Sequence, residues 1–359
     1  MDSLKHMIKC LILSFFALSL AQSKHKNIIY MIPPLGYEKG KLFDLRDQVY
    51  NRDNCVKHFF DLKIALEKLG YQLKLTIPRR DLSDGEFVLW SSFNMSRAQI
   101  LRLCPPEKLY AHIWEPITVD PRSYTKAAHK IFSKIFIMDD RFVDNKKYFK
   151  LYYPHPNIEM IEEVVSFKQK RFCTLVAGRK SSTYKNELYS ERRRAIEYFE
   201  HFPQDFTFYG KGWNYKYKTY GGGVLKKVDI LKNFKFCICY ENTSDQPGYI
   251  TEKIFDCFHA GCVPVYLGAP NITNHIPEHC FIDFRKFKNY EVLYKYLKSI
   301  TEDEYNKYVE NIKEFLASNG AFKFSIPYFI DQVLTEMFPG YDRSKVFEEE
   351  VVKKLEEIK

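Results

Sequence analysis

The chain has 359 residues, 45% of them hydrophobic, too long for one small domain and apolar enough to bury two cores. Its 55 Lys and Arg against 45 Asp and Glu leave a formal charge of +10, but the basic residues are scattered among acids, and no helix-turn-helix, zinc-finger or stacked-aromatic pattern accompanies them. A nucleic-acid partner is not expected, while an anionic small ligand suits the excess.

In "MDSLKHMIKCLILSFFALSLAQSK", Lys5 and Lys9 precede an apolar run from Cys10 to Ala21 that ends in Ser19, Leu20, Ala21. Residues 1–21 read as a signal peptide or a short signal anchor, since the run falls short of the ~20 apolar residues of a spanning helix. In a eukaryote either form takes the chain to the secretory pathway, the anchor with membrane association. From residue 27 strand-like runs alternate with helical ones: "NIIYMIP", the amphipathic "CVKHFFDLKIALEKLG", "YQLKLTI", "EFVLWSS", the helix "SRAQILRLC", "KLYAHIW", the helix "YTKAAHKIFSKI" and "IFIMDD". Repeated βαβ units of this kind form a parallel sheet. The pattern breaks at "YYPHPNIEMIEEVVSFKQK", which divides residues 27–165 from a second domain over 166–335.

That second half opens on the strand "RFCTLVAG" and continues with the helix "NELYSERRRAIEYFEHF", the strand "FTFYG", a loop at Gly221 to Gly223 and the helix "KKVDILKN". After the strand "FKFCICY" and the elements that follow it come "CFIDF", the helices "NYEVLYKYLKSI" and "EYNKYVENIKEFLAS", and a charged C-terminal helix in residues 336–359. The fold class is α/β, two Rossmann-like domains facing a cleft lined by the carboxyl ends of both sets of strands. Of nine cysteines, eight lie beyond the leader; with no C-x-x-C pair they read as small buried hydrophobes, with one or two disulfides open to a secreted chain.

The densest chemistry lies in "FKFCICYENTSDQPGYITEKIFDCFHAGCVPVYLG". Glu241 and Asn242 end a buried strand and point into the cleft; Thr251 is placed to cap the helix "TEKIFDCFHA", which Gly261 ends. The helix N-terminus and Lys253 favour a phosphate, Glu252 can accept hydrogen bonds from sugar hydroxyls, and Tyr249 can stack or donate. The plain alternative for Glu252 and Lys253 is an exposed helix start. In "SERRRAIEYF", one of Arg192, Arg193 and Arg194 can face the cleft as a phosphate ligand, the alternative being a solvated basic face. No D-x-D element occurs in this half, so no metal site is expected and a diphosphate would be neutralised by Arg, Lys and helix N–H groups.

"YENTSDQPGYITEKIFDCFHAGCVPVYLGAPN" resembles the donor motif of the α-1,3-fucosyltransferases of glycosyltransferase family 10: Glu241, Asn242, Tyr249, Thr251, Glu252, Lys253, Gly261, Pro264 and Gly268 fill its positions, and the similarity covers residues 105–335. The resemblance implies a GT-B fold, GDP-fucose as co-substrate with no cofactor or metal, inversion at the anomeric carbon, and transfer to a glycan or glycoprotein hydroxyl, α-1,3 on N-acetylglucosamine. It makes residues 27–165 the acceptor side and 166–335 the GDP-fucose side, places the donor-binding Arg on Arg192 or its neighbour Arg193, and implies the Golgi lumen or membrane in a eukaryote, or a membrane-associated or cytoplasmic place in a bacterium. Two departures stand out: "CTLVAGRKSS" lacks the family's Ser-Asn after its strand, and the C-terminal cysteine pair of the animal enzymes is absent. Another inverting GT-B nucleotide-sugar transferase, or a non-catalytic sugar-nucleotide or glycan-binding protein, would use the same cleft.

Single displacement needs a base for the acceptor hydroxyl. In "KLYAHIWEPITVD" the strand ends at Glu115 and Pro116 stops its pairing, which sets this carboxylate at the cleft, where the resemblance also places the base. Asp139 and Asp140, after "IFIM", are the rival carboxylates, and a structural acid at the following turn is the plain alternative for Glu115.

Overall fold

A computed structural model describes residues 27–34, 36–77, 82–91, 104–214 and 216–358. The leader over 1–21 and most of the expected helix "SRAQILRLC" lie outside the described residues.

The first sheet contains β1 (Ile28–Ile32), β2 (Gln72–Leu75), β3 (Phe87–Trp90), β4 (Leu109–Ile113), β5 (Lys134–Ile137) and β6 (Tyr148–Lys150), all parallel in the order β2-β1-β3-β4-β5-β6. The second contains β7 (Arg171–Val176), β8 (Phe206–Tyr209), β9 (Phe234–Tyr240), β10 (Val263–Leu267) and β11 (Ile282–Asp283), parallel in the order β11-β10-β9-β7-β8. Continuous apolar runs suit such strands because helices cover both faces; every residue of β1 and β4 is buried. The order reverses beside the first strand of each sheet, which opens a crevice at the carboxyl ends.

Helix α1 (Lys57–Lys68) buries Phe59, Leu62, Ala65 and Leu66 at helical spacing against the first sheet. In the second domain α2 (Tyr189–Phe199), α3 (Lys227–Leu231), α4 (Glu252–His259), α5 (Tyr290–Ser299) and α6 (Glu302–Leu316) surround the sheet; a Thr301–Glu304 capping box starts α6. The stretch "YTKAAHKIFSKI", expected as one helix, is helical only over Lys126–His129 and then enters β5, whose Ile135 to Ile137 are fully buried. β6 was not expected, and "CFIDF" keeps only the two-residue β11 between 3-10 turns.

Helix α7 (Ile326–Met337) packs on the first domain although it follows the second in the chain. Its Phe329, Ile330, Val333 and Leu334 join the core built by Ile29, Leu62, Leu66 and Phe136, and Lys134 pairs with Glu336 at 2.5 Å. The boundary expected at residue 335 falls inside this helix, because an apolar stripe shows that a helix is buried but not against which sheet. α8 (Glu349–Glu357) follows, with Leu355 buried. The crossings at His155 and Phe324 run side by side, joined by His155 N–H to Phe324 O at 2.7 Å. Seven of the eight described cysteines are buried, Cys55 is half-buried, and all are free thiols.

His58 and His112 make tilted and edge-on ring contacts with Trp114 and Phe329 in the first domain. Both His112 ring nitrogens and Nε2 of His58 are buried without a hydrogen-bond partner, and burial lowers each imidazole to about 3. The folded state thus binds fewer protons than the unfolded chain between the ordinary histidine range and about pH 3, so stability is lost as pH falls through that window. Compared with wild type, His112→Phe should gain about 1.4 kcal/mol per pH unit between pH 6 and 4, read from urea midpoints; a constant difference across that range would refute the neutral, unpartnered imidazole.

Candidate active site

The carboxyl ends of both sheets enclose a cavity of about 640 Å³. Its second-domain wall is built around Glu241, which is 0% exposed where β9 ends. This carboxylate accepts from Thr251 N–H at 2.8 Å and from the Thr251 hydroxyl at 3.0 and 2.9 Å, and it pairs with Lys253 at 3.0 Å. Thr251 holds the N-cap position of α4, as expected, but its side chain caps nothing in the helix and is turned to Glu241 instead. Desolvation pushes the Lys253 ammonium down, yet Glu241 and Glu252 outweigh it and raise its pKa.

Arg192 lies beneath the same strand end, 5% exposed. Its Nε and Nη2 donate to Tyr240 O, Glu241 O and Asn242 Oδ1 at 2.6 to 3.2 Å, leaving Nη1 without a partner among the described residues. Of the three consecutive arginines it alone lines the cavity: Arg193 donates to Lys180 O and Arg194 pairs with Glu191. Asn242 Nδ2 donates to the buried Tyr249 hydroxyl at 3.2 Å. Glu252 faces the cavity with Lys227, an ion pair at 3.6 Å, and Lys227 bonds Asp256 at 2.6 Å. Desolvation alone would raise the Glu252 carboxyl, but Lys253 and Lys227 hold it well below the usual range. Asp256 also meets His155 at 3.1 Å.

Across the cavity stands Glu115, one residue beyond Trp114. Its backbone carbonyl accepts from Tyr124, but its carboxyl makes no hydrogen bond or ion pair among the described residues. Desolvation raises its pKa, partly offset by the nearby charges of Lys180 and Lys253. The two rivals are occupied. Asp139 is buried and held by Arg141 at 2.6 Å and 2.9 Å. Asp140 bonds Lys150 at 2.7 Å, Asn271 at 2.8 Å and His275 at 2.9 Å; desolvation pushes it up, but His275 and Lys150 more than reverse this. Asn271 and His275 belong to the second domain, so Asp140 pins the two domains together.

One cavity therefore collects Glu115, Arg192, Asn242, Tyr249, Thr251, Glu252 and Lys253, with Glu241 directly behind Thr251 and Lys253. The sequence reading missed Lys227, Asp256, Arg52 and Tyr153, which also line it. Asp256 stands four residues from Glu252 on α4, a spacing that sets both on one helix face and was available as a signal. Tyr37, Phe59, Trp114 and Tyr153 give the first-domain side an aromatic lining. Among the described residues no group of three or more His, Cys, Asp or Glu is arranged to hold a metal ion.

Residues 162–324 match the sequence model of the glycosyltransferase family 10 (fucosyltransferase) C-terminal region. The chain is similar to the alpha-(1,3)-fucosyltransferase FucT of Helicobacter pylori, 29% identical over 161 residues that cover 45% of this chain and 31% of that one. It is also similar to 4-galactosyl-N-acetylglucosaminide 3-alpha-L-fucosyltransferase 9 of Mus musculus, 32% identical over 147 residues, 40% of this chain and 36% of the relative. The chain thus spans about a third of the length of these relatives. The fold is shared with the crystal structure of an alpha1,3-fucosyltransferase at a TM-score of 0.55 and 16% identity, over 89% of this chain and 92% of that one, which is the GT-B arrangement. A crystal structure of an alpha1,3-fucosyltransferase with GDP-fucose gives a TM-score of 0.52, 16% identity, and 88% and 91% coverage.

Lys253→Met leaves the Glu241 charge buried and unpaired, and should lower unfolding stability by about 3 to 5 kcal/mol. Adding Glu241→Gln should restore most of it. Urea titration of the single and double variants checks both, and a Lys253→Met chain as stable as wild type would contradict the pairing.

Proposed function

We propose, from the premise that residues 162–324 are a glycosyltransferase family 10 (fucosyltransferase) domain, that the chain transfers fucose from GDP-fucose to a glycan hydroxyl with inversion, the acceptor being the 3-hydroxyl of an N-acetylglucosamine unit. The observation that carries the reading is the single unengaged carboxylate, Glu115, facing the wall of Arg192, Asn242, Glu252 and Lys253. As the acceptor oxygen attacks the anomeric carbon, Glu115 takes its proton; the bond from that carbon to the diphosphate breaks, and GDP leaves with the electron pair. Glu115 is open to solvent at the cavity, and its raised pKa makes it a stronger base than an ordinary carboxylate. Glu252, kept ionised by Lys253 and Lys227, accepts hydrogen bonds from fucose hydroxyls. The aromatic side chains of Tyr37, Trp114 and Tyr153 offer faces to the acceptor sugar.

A carboxylate opposite the donor wall supports catalysis over a sugar-nucleotide-binding module without a base. No metal enters this reading, because Arg and Lys side chains line the wall that would meet the leaving group. The leader supports a place in the secretory pathway, Golgi in a eukaryote; no described helix is long and apolar enough to cross a membrane.

Glu115→Gln should lower kcat by about 10²- to 10⁴-fold and leave GDP affinity nearly unchanged. Near-full turnover of this variant, with loss in Asp139→Asn or Asp140→Asn, would move the base to the other strand end. Turnover in excess EDTA should equal that of the untreated protein; loss with recovery on adding manganese would show that a metal takes part.

A further inference from the structure

Lys253 and Arg192 are the cations expected to meet a diphosphate, and Lys227 lines the cavity with them, yet the protein already answers their charge. Glu241, Glu252 and Asp256 stand against them one for one. Asp53 of the first domain accepts from the Lys227 backbone N–H at 2.8 Å and pairs with Arg52, a further cation of the lining, at 3.6 Å. A diphosphate brings at least two further negative charges, which this wall does not balance.

Unbalanced positive charge lies beside it. The loops that leave β7 and β8 run together, with Arg179 N–H donating to Lys211 O at 2.9 Å and Ala177 N–H to Tyr209 O at 2.9 Å. Their closeness needs Gly210, whose φ is +144° and where a Cβ would collide with Ala177 O. Trp213 Nε1 donates to the same carbonyl at 2.7 Å, and Ser182 ties the first loop to Thr118 O of the facing domain at 2.9 Å. On this constrained pair of loops Arg179, Lys180 and Lys211 line the cavity, and their side chains make no hydrogen bond or ion pair among the described residues. Arg179 and Lys180 occupy the stretch after β7 where the family's Ser-Asn is missing.

We infer that Arg179, Lys180 and Lys211 form the edge of the cavity that holds the diphosphate of the nucleotide donor. The assignment rests on the donor reading above and adds to it: the cations around the "TEK" helix start shape the wall, and these three supply the net charge. Their place at the carboxyl ends of adjacent strands, beside Lys253 and across from Glu115, lets them stabilise negative charge on the leaving group as its bond to the sugar breaks.

Calorimetry on the full chain with GDP and with guanosine tests it. Lys180→Ala and Lys211→Ala should each weaken GDP by about tenfold, and the triple Arg179→Ala/Lys180→Ala/Lys211→Ala by at least a hundredfold with a flatter salt dependence. Guanosine affinity and the thermal midpoint should not change, because none of the three side chains makes a hydrogen bond or ion pair among the described residues. Unchanged GDP affinity in the triple variant overturns the inference, as does a parallel loss of guanosine, which would signal a collapsed loop, or a rise confined to the acceptor KM. UDP is included to separate the two claims: a wild-type chain that prefers UDP refutes the GDP-fucose reading, and UDP against uridine then decides the role of the three cations.

Discussion

The buried carboxylate of Glu241 is the constraint from which the site is built. An ionised group with no solvent exposure is tolerated only when it is paired and hydrogen-bonded. Here that demand fixes the turn from β9 into α4: Thr251 must present both its N–H and its hydroxyl, and Lys253 must reach back over the first turn. Arg192 serves the other side of the strand end by binding the carbonyls of Tyr240 and Glu241. Motif residues that look like an inventory of ligand contacts are thus partly a packing requirement, and Glu252 is aimed into the cavity because its neighbours on both sides are tied down.

A cleft between two domains is a site only if the domains keep their relation, and polar contacts hold it on several sides. Asp140 reaches Asn271 and His275, Gln246 Nε2 donates to the Tyr124 hydroxyl at 2.7 Å, and Asp53 meets Lys227. Tyr249 carries the loop between β9 and α4 into the first-domain core, where Leu89, Phe136 and α7 also pack. Gly248 sits beside the Asp140–Lys150 pair with φ +73°, where a Cβ would strike both side chains. The return of α7 makes the chain cross between domains twice, so motion of one domain against the other must bend both crossings.

Most strands and the gathering of the motif residues at one cavity were legible because parallel strands are buried on both faces and read as unbroken apolar runs, and because the motif packs its polar residues between two of them. The face of α2 was also legible in retrospect: Tyr189, Ala195, Ile196 and Phe199 form its buried stripe, and Arg192 alone among the three arginines falls on it. The destination of α7 was not, since an amphipathic stripe carries no address. Nor was the engagement of Asp139 and Asp140, because their partners Arg141, Asn271 and His275 are chosen by tertiary approach. Glu115 was picked as the end of a strand, and what distinguishes it in three dimensions is the absence of any such partner among the described residues.

That asymmetry is what the proposed chemistry rests on: several acids in and around the cavity are neutralised by cations, while Glu115, exposed opposite them, has no ion-pair partner among the described residues. The most direct measurement is incubation of the chain with GDP-fucose and a panel of glycans, following GDP release and the linkage and anomeric configuration of the product by NMR. The account predicts GDP release that depends on acceptor, with the fucosyl linkage inverted relative to the donor. GDP release unaffected by any acceptor, or a product that retains the donor's configuration, would contradict it.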